Sequence, residues 1–152
     1  MVRRFRPYLI ALGVAILAIG AFVGVVGPLF KTGGLPTAEV TGLADPQLSA
    51  GKSGEIAVAV DNTGDSIIDP LCITASFSAA VHVDQVTFDN NYPYSYRKGA
   101  GYCGGSLVGQ ETINVVVKVT PQQPGDLAIT IAALQGDQRV GTPLQRQVRV
   151  SG

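Results

Sequence analysis

Two regimes of hydrophobic patterning meet near residue 36 of this chain. From Tyr8 to Phe30 there are 23 consecutive residues without a charge, most of them apolar. At 1.5 Å of rise per residue, the run predicts a helix of roughly 34 Å, enough to cross a hydrocarbon core about 30 Å thick. Beyond it the period changes to two. Ile56, Val58 and Val60 alternate with Ala57, Ala59 and Asp61, and Leu71, Ile73, Ala75 and Phe77 alternate with Cys72, Thr74, Ser76 and Ser78. Ile113, Val115, Val117 and Val119 form the longest alternation, Leu127, Ile129, Ile131 and Ala133 follow, and Leu144, Val148 and Val150 close the chain. Val81 and Val83 flank His82, with Val86 and Phe88 one phase later, which predicts a β-bulge near Asp84-Gln85.

Turn residues punctuate these strands where the chain must reverse. Asp61-Asn62-Thr63-Gly64-Asp65, Pro121-Gln122-Gln123-Pro124-Gly125-Asp126 and Gln135-Gly136-Asp137 each supply glycine, proline or an Asx side chain. Alternation wets one face of each strand and buries the other, as two antiparallel sheets packed face to face require. About seven such strands predict an all-β, immunoglobulin-like sandwich behind one N-terminal transmembrane helix. The expected layout is a cytoplasmic N-terminus at 1–7, the membrane helix at 8–30, a linker at 31–36 and the sandwich at 37–152.

Charge orients that layout. Arg3, Arg4 and Arg6 precede the apolar run and only Lys31 directly follows it, so the positive-inside bias keeps the N-terminus cytoplasmic and exports the rest. A cleaved signal peptide is the rival, but its apolar stretch runs only about 7–15 residues, and here the run continues past Ala18-Ile19-Gly20 into Ala21–Val26. Gly13, Gly20, Gly24 and Gly27 project within about 60° of one another on a helix, and Gly20-x-x-x-Gly24 has the spacing of close helix packing. These four glycines are the expected helix-packing residues, and Pro28 is expected to break the outer end. Four of the eleven basic residues, and none of the eleven acidic ones, precede residue 37, so the exported part carries seven basic and eleven acidic groups, a net −4. A mildly acidic domain without a basic patch excludes nucleic acid as a partner.

The segment Ser49-Ala50-Gly51-Lys52-Ser53-Gly54-Glu55-Ile56-Ala57-Val58-Ala59-Val60-Asp61-Asn62-Thr63-Gly64-Asp65 resembles the opening of bacterial and archaeal surface Ig-like modules of the CARDB and DUF11 kind. Val117-Lys118-Val119-Thr120-Pro121 with Pro124-Gly125-Asp126-Leu127-Ala128-Ile129 is similar to the paired strands that finish them. The likeness covers about two-thirds of the exported part and implies a non-catalytic spacer, adhesion unit or assembly domain. Asp89 to Gly105 departs from it and reads as an inserted loop.

That loop lies between the only two cysteines, Cys72 and Cys103, and an oxidising compartment predicts their disulfide. Cys72 falls on the outward phase of its strand, so the bond should pin the loop to the sheet rather than bridge the core. A redox-active pair would need C-x-x-C spacing or a neighbouring histidine, and neither occurs. Four of the five tyrosines lie in the loop beside Asn, Ser, Gly and Arg, a composition close to that of binding loops. Tyr92, Tyr94, Tyr96, Arg97 and Tyr102 are the expected partner-binding residues, against the alternative of a tyrosine cluster folded over its own sheet edge.

Catalytic chemistry finds few residues to carry it. His82, the only histidine, alternates with valines and should face water beside Asp84. One imidazole cannot assemble a multi-histidine metal site, no G-x-S-x-G motif occurs, and Asp61, Asp65 and Asp69 lack the spacing of a calcium loop. The sequence therefore predicts no enzyme, no cofactor and no metal. Its expected role is an accessory or structural subunit in the cell membrane, contacting the lipid bilayer and either other membrane-complex subunits or a second copy of itself. The alternative is a free-standing surface module for adhesion or glycan binding.

Overall fold

The computed structural model describes residues 34–89 and 101–152, together with the backbone of 95–97. The predicted membrane helix, its glycine stripe and the start of the linker lie outside the described residues. Among those described, no helix is long and apolar enough to cross a membrane.

Strands account for every regular element among the described residues, and Gly34–Gly152 forms one compact unit. In chain order they are β1 (Ala38–Gly42), β2 (Leu48–Ser49), β3 (Gly54–Asn62), β4 (Leu71–Phe77), β5 (Val81–Phe88), β6 (Ser95–Arg97), β7 (Gly101–Cys103), β8 (Thr112–Pro121), β9 (Gly125–Gln135), β10 (Gln138–Arg139) and β11 (Leu144–Ser151). One sheet runs β1-β3-β8-β5, all antiparallel. The other runs β2-β11-β9-β4-β7-β6, with β10 returning on β9, and only β2 and β11 pair in parallel. The four-stranded sheet reproduces the A-B-E-D order of a constant-type immunoglobulin domain, and β4, β9 and β11 take the C, F and G places.

The alternations read from sequence build the core. Ile113, Val115, Val117 and Val119 of β8 are buried, and Val60, Val58 and Ile56 of β3 stand beside the first three in register. From the other sheet come Leu127, Ile129, Ile131 and Ala133 of β9 with Leu71 and Ile73 of β4. Such core side chains contribute about 1.5–3 kcal/mol each when fully withdrawn from water. The predicted bulge is present: pairing of β5 with β8 slips between Val83 and Gln85, so Asp84 is the extra residue. That slip lets Val81 and Val83 lean on the core in one phase and Val86 and Phe88 in the next.

One expectation is corrected. Asp89 to Gly105 is not a plain loop, because it contains β6 and β7, an antiparallel pair that extends the second sheet beyond β4. The chain leaves β5 in the first sheet, adds this pair to the edge of the second, and returns to the first at β8. A further clip joins the two layers: Thr142 N–H donates to Ala38 C=O at 2.9 Å, and Val40 N–H donates to Thr142 C=O at 3.2 Å. Gly141 precedes it with φ +74°, and a Cβ there would stand 1.7 Å from the Ala38 carbonyl oxygen, so only glycine allows the approach.

Candidate interaction surface

Cys72 of β4 lies directly opposite Cys103 of β7, with their Cα atoms 3.9 Å apart, and the two sulfurs are bonded. Since Leu71 and Ile73 point into the sandwich, Cys72 occupies the outer face of the sheet, and the bond joins neighbouring strands of one sheet. Antibody-type domains instead join their second and sixth strands across the core. The pinning role expected from sequence is met. The environment is drier than an outward phase suggests: Cys72 is 0 % and Cys103 4 % exposed, forming with Leu134 a small apolar cluster apart from the main core.

The pinned strands contain part of the expected binding set. Tyr96 pairs with Tyr102, and Arg97 pairs with Gly101. Gly101 has φ +79°, and a Cβ on it would come within 2.4 Å of the Ile73 carbonyl oxygen, so glycine lets β7 lie close against β4. Tyr102 pairs with Ile73 and is half-buried against the main core, which makes it in part an inward anchor for the hairpin. Tyr92 and Tyr94 lie outside the described residues. At the foot of the hairpin an open notch of about 470 Å³ is lined by Asp89, Ser106, Val108, Glu111 and Thr112. Both of its carboxylates are engaged: Asp89 Oδ2 accepts from Asn114 Nδ2 at 2.8 Å, and Glu111 Oε2 accepts from Val108 N–H at 3.2 Å.

A residue read from sequence only as part of a turn organises this end of the sandwich. Asn62, 1 % exposed, is the one buried polar side chain among the described residues. Its Nδ2 donates to the carbonyls of Ser66 (2.8 Å), Leu107 (3.0 Å) and Val108 (3.0 Å), and its Oδ1 accepts from Gly64 N–H at 3.1 Å. Its backbone adds a bond in each direction to Glu111 C=O and Gln110 N–H, both at 2.9 Å. One side chain thus ties the β3–β4 connection to the segment that carries the chain from the hairpin into β8.

The bulge on β5 gathers the other polar cluster. Asp84 accepts from Thr120 Oγ1 at 2.7 Å and Ser53 Oγ at 3.0 Å, and pairs with His82 Nδ1 at 2.8 Å. His82 faces water as expected, its side chain 71 % exposed. Both hydroxyls donate toward the carboxylate, so neither is activated as a nucleophile by the imidazole. The bond from Thr120, followed by that from His82, holds the Asp84 carboxyl below its ordinary range. A folded value below the unfolded one, about 3.9, contributes stability above that pH and loses it as pH falls through the folded value. Thermal melts from neutral to acid pH should therefore show Asp84→Asn below the parent at neutrality and converging with it in acid. A constant offset at every pH would rule out this linkage.

No family model and no curated protein matches the sequence. Similar solved structures exist. The CARDB domain of PF1109 from Pyrococcus furiosus superposes with a TM-score of 0.51 at 17 % identity, covering 76 % of this chain and 94 % of that one. AvmM, which catalyses macrocyclization in alchivemycin A biosynthesis, gives 0.50 at 10 % identity over 77 % and 89 % of the two chains. A cohesin module from a Clostridium perfringens family 33 glycoside hydrolase gives 0.49 at 14 % identity over 76 % and 98 %. At such identities the likeness is one of fold, and the fold is that of a CARDB-like Ig module.

Proposed function

We propose that this chain is a non-catalytic, membrane-anchored accessory subunit. Residues 8–30 cross the bilayer with the N-terminus in the cytoplasm, and the sandwich serves as an exported assembly module. The observation that carries this reading is the disulfide-pinned β6–β7 hairpin. It is added to the seven-strand Ig-like frame between β5 and β8, and it sits on a sheet edge with the Tyr96–Tyr102 and Arg97–Gly101 pairs. Tyrosine and arginine dominate interface hot spots because they combine large contact area with directional polar ends. The glycine stripe Gly13, Gly20, Gly24 and Gly27 supplies a second contact inside the bilayer, with another helix or another copy.

Extraction in mild detergent followed by mass spectrometry of the retained material tests this function. A large stable complex is expected, and replacing Tyr92, Tyr94 and Tyr96 with serine and Arg97 with alanine should reduce partner recovery at least about five-fold, as loss of hot-spot side chains does. Tyr102 is left in place because it packs on the core. Recovery of a lone monomer of 15.7 kDa, unaffected by those substitutions, would instead favour a free-standing surface module.

A further inference from the structure

Single exposed apolar residues are normal on any soluble surface and need no explanation. Among the described residues, four large hydrophobics are exposed, and three of them gather at one end of the sandwich. Ile67 and Val108, 49 % and 51 % exposed, flank the Ile68–Leu107 bridge, whose members are buried, so both lie on its outer side. Asn62 fixes them by bonding the carbonyls of Ser66 and Val108. Leu35, 86 % exposed, is held at the same place: Ser66 Oγ donates to Gly34 C=O, and Thr63 N–H donates to Thr37 C=O at 3.0 Å. Leu43, the fourth, follows the far end of β1, roughly 17 Å away along the strand.

This end is also where the chain arrives from the apolar run. Only residues 31–33 separate Phe30 from Gly34. Four Cα steps span at most about 15 Å, so Gly34 stays within that reach of Phe30. The β3–β4 connection and the segment before β8 contain Asp65, Asp69 and Glu111 and no lysine or arginine. Carboxylates of that kind oppose anionic headgroups and tolerate zwitterionic ones.

We propose that Leu35, Ile67 and Val108 form a seat by which the sandwich rests on the zwitterionic lipid surface of the membrane that residues 8–30 cross. The seat rests on that anchor reading.

The chain contains no tryptophan, so single-tryptophan versions report one position each. Full-length Leu35→Trp, Ile67→Trp, Val108→Trp and Leu43→Trp proteins are reconstituted in phosphatidylcholine vesicles with and without brominated acyl chains, and floated on a density gradient. Intact Cys72–Cys103 bonding and unchanged far-ultraviolet dichroism establish that each is folded. Brominated lipid should quench emission from positions 35, 67 and 108 at least two-fold while leaving position 43 unchanged, and adding phosphatidylglycerol at low salt should weaken the quenching. Protein that floats with the vesicles yet shows red-shifted, unquenched emission at 35, 67 and 108 overturns the seat and leaves the anchor standing. Blue-shifted but unquenched emission overturns it in favour of contact between copies. Protein that does not float overturns the anchor, and the seat with it.

Discussion

Loss of the Cys72–Cys103 bond is expected to lower the stability of the sandwich by about 3.5 kcal/mol in the chain-entropy treatment of a cross-link. The bond closes a loop across a separation of 31 residues, a length at which its removal returns much freedom to the unfolded chain. For a domain of this size that corresponds to a fall in melting temperature of roughly 10–15 °C. The folded side of the balance is local. β7 pairs with β4 at Cys72–Cys103 and Ile73–Tyr102, the backbone of Leu71 adds bonds to Gly104 N–H and Gly105 C=O, and β6 pairs with β7. So short an attachment, with one further strand outside it, is marginal without a covalent staple. The double replacement Cys72→Ala, Cys103→Ala should therefore do two things at once: lower the urea midpoint of the sandwich, and speed amide exchange in β6 and β7 well beyond that in β3 and β8. An unfolding free energy within about 0.5 kcal/mol of the parent, the scatter of an ordinary surface change, would show that the bond does not hold the hairpin.

Asn62→Ala should cost about 3 kcal/mol, because four hydrogen bonds converge on a side chain with almost no access to water. Alanine leaves the carbonyls of Ser66, Leu107 and Val108 and the Gly64 N–H without that partner in the interior. Each abandoned buried group costs about 1–3 kcal/mol, partly recovered where water enters. Asn62→Asp is the sharper comparison. It keeps the size and the acceptor for Gly64 but turns the donor that serves three carbonyls into a second acceptor. At neutral pH it should be the worse of the two, since the carboxylate oxygen standing in place of Nδ2 would then face three carbonyl oxygens in the interior. Urea denaturation of both variants beside Asp137→Asn, an exposed turn control, tests the ranking. Asn62→Asp proving milder than Asn62→Ala would mean that the Nδ2 bonds are not what secures the two connections.

How much of this was legible in the sequence depended on the range of the interaction responsible. Ile113, Val115, Val117 and Val119 announce β8 because each position is judged against its immediate neighbours, and the phase change from Val83 to Val86 reveals the bulge for the same reason. The hairpin was hidden. Ser95-Tyr96-Arg97 and Gly101-Tyr102-Cys103 are too short to show a period, and they are strands because of an edge on β4 and a disulfide, neither written locally. Tyr102 illustrates the consequence: composition placed it among binding residues, whereas pairing with Ile73 turns it partly toward the core. Asn62 looked like one more Asx residue in a turn. Its importance comes from carbonyls 45 and 46 residues away, which no window along the chain contains. The cystine gave the pairing and the face correctly, but its near-complete burial with Leu134 depends on the packing of the sheet's outer face.

Whether the apolar run stays in the membrane is the question on which the anchor, the glycine stripe and the lipid seat all turn. N-terminal sequencing of the mature protein, recovered from alkali-washed membranes, answers it most directly. The expected outcome is a membrane-bound chain that still carries Tyr8 to Phe30. A water-soluble chain beginning at Ala21 or later would contradict it, and would leave an exported Ig-like module with no attachment to lipid.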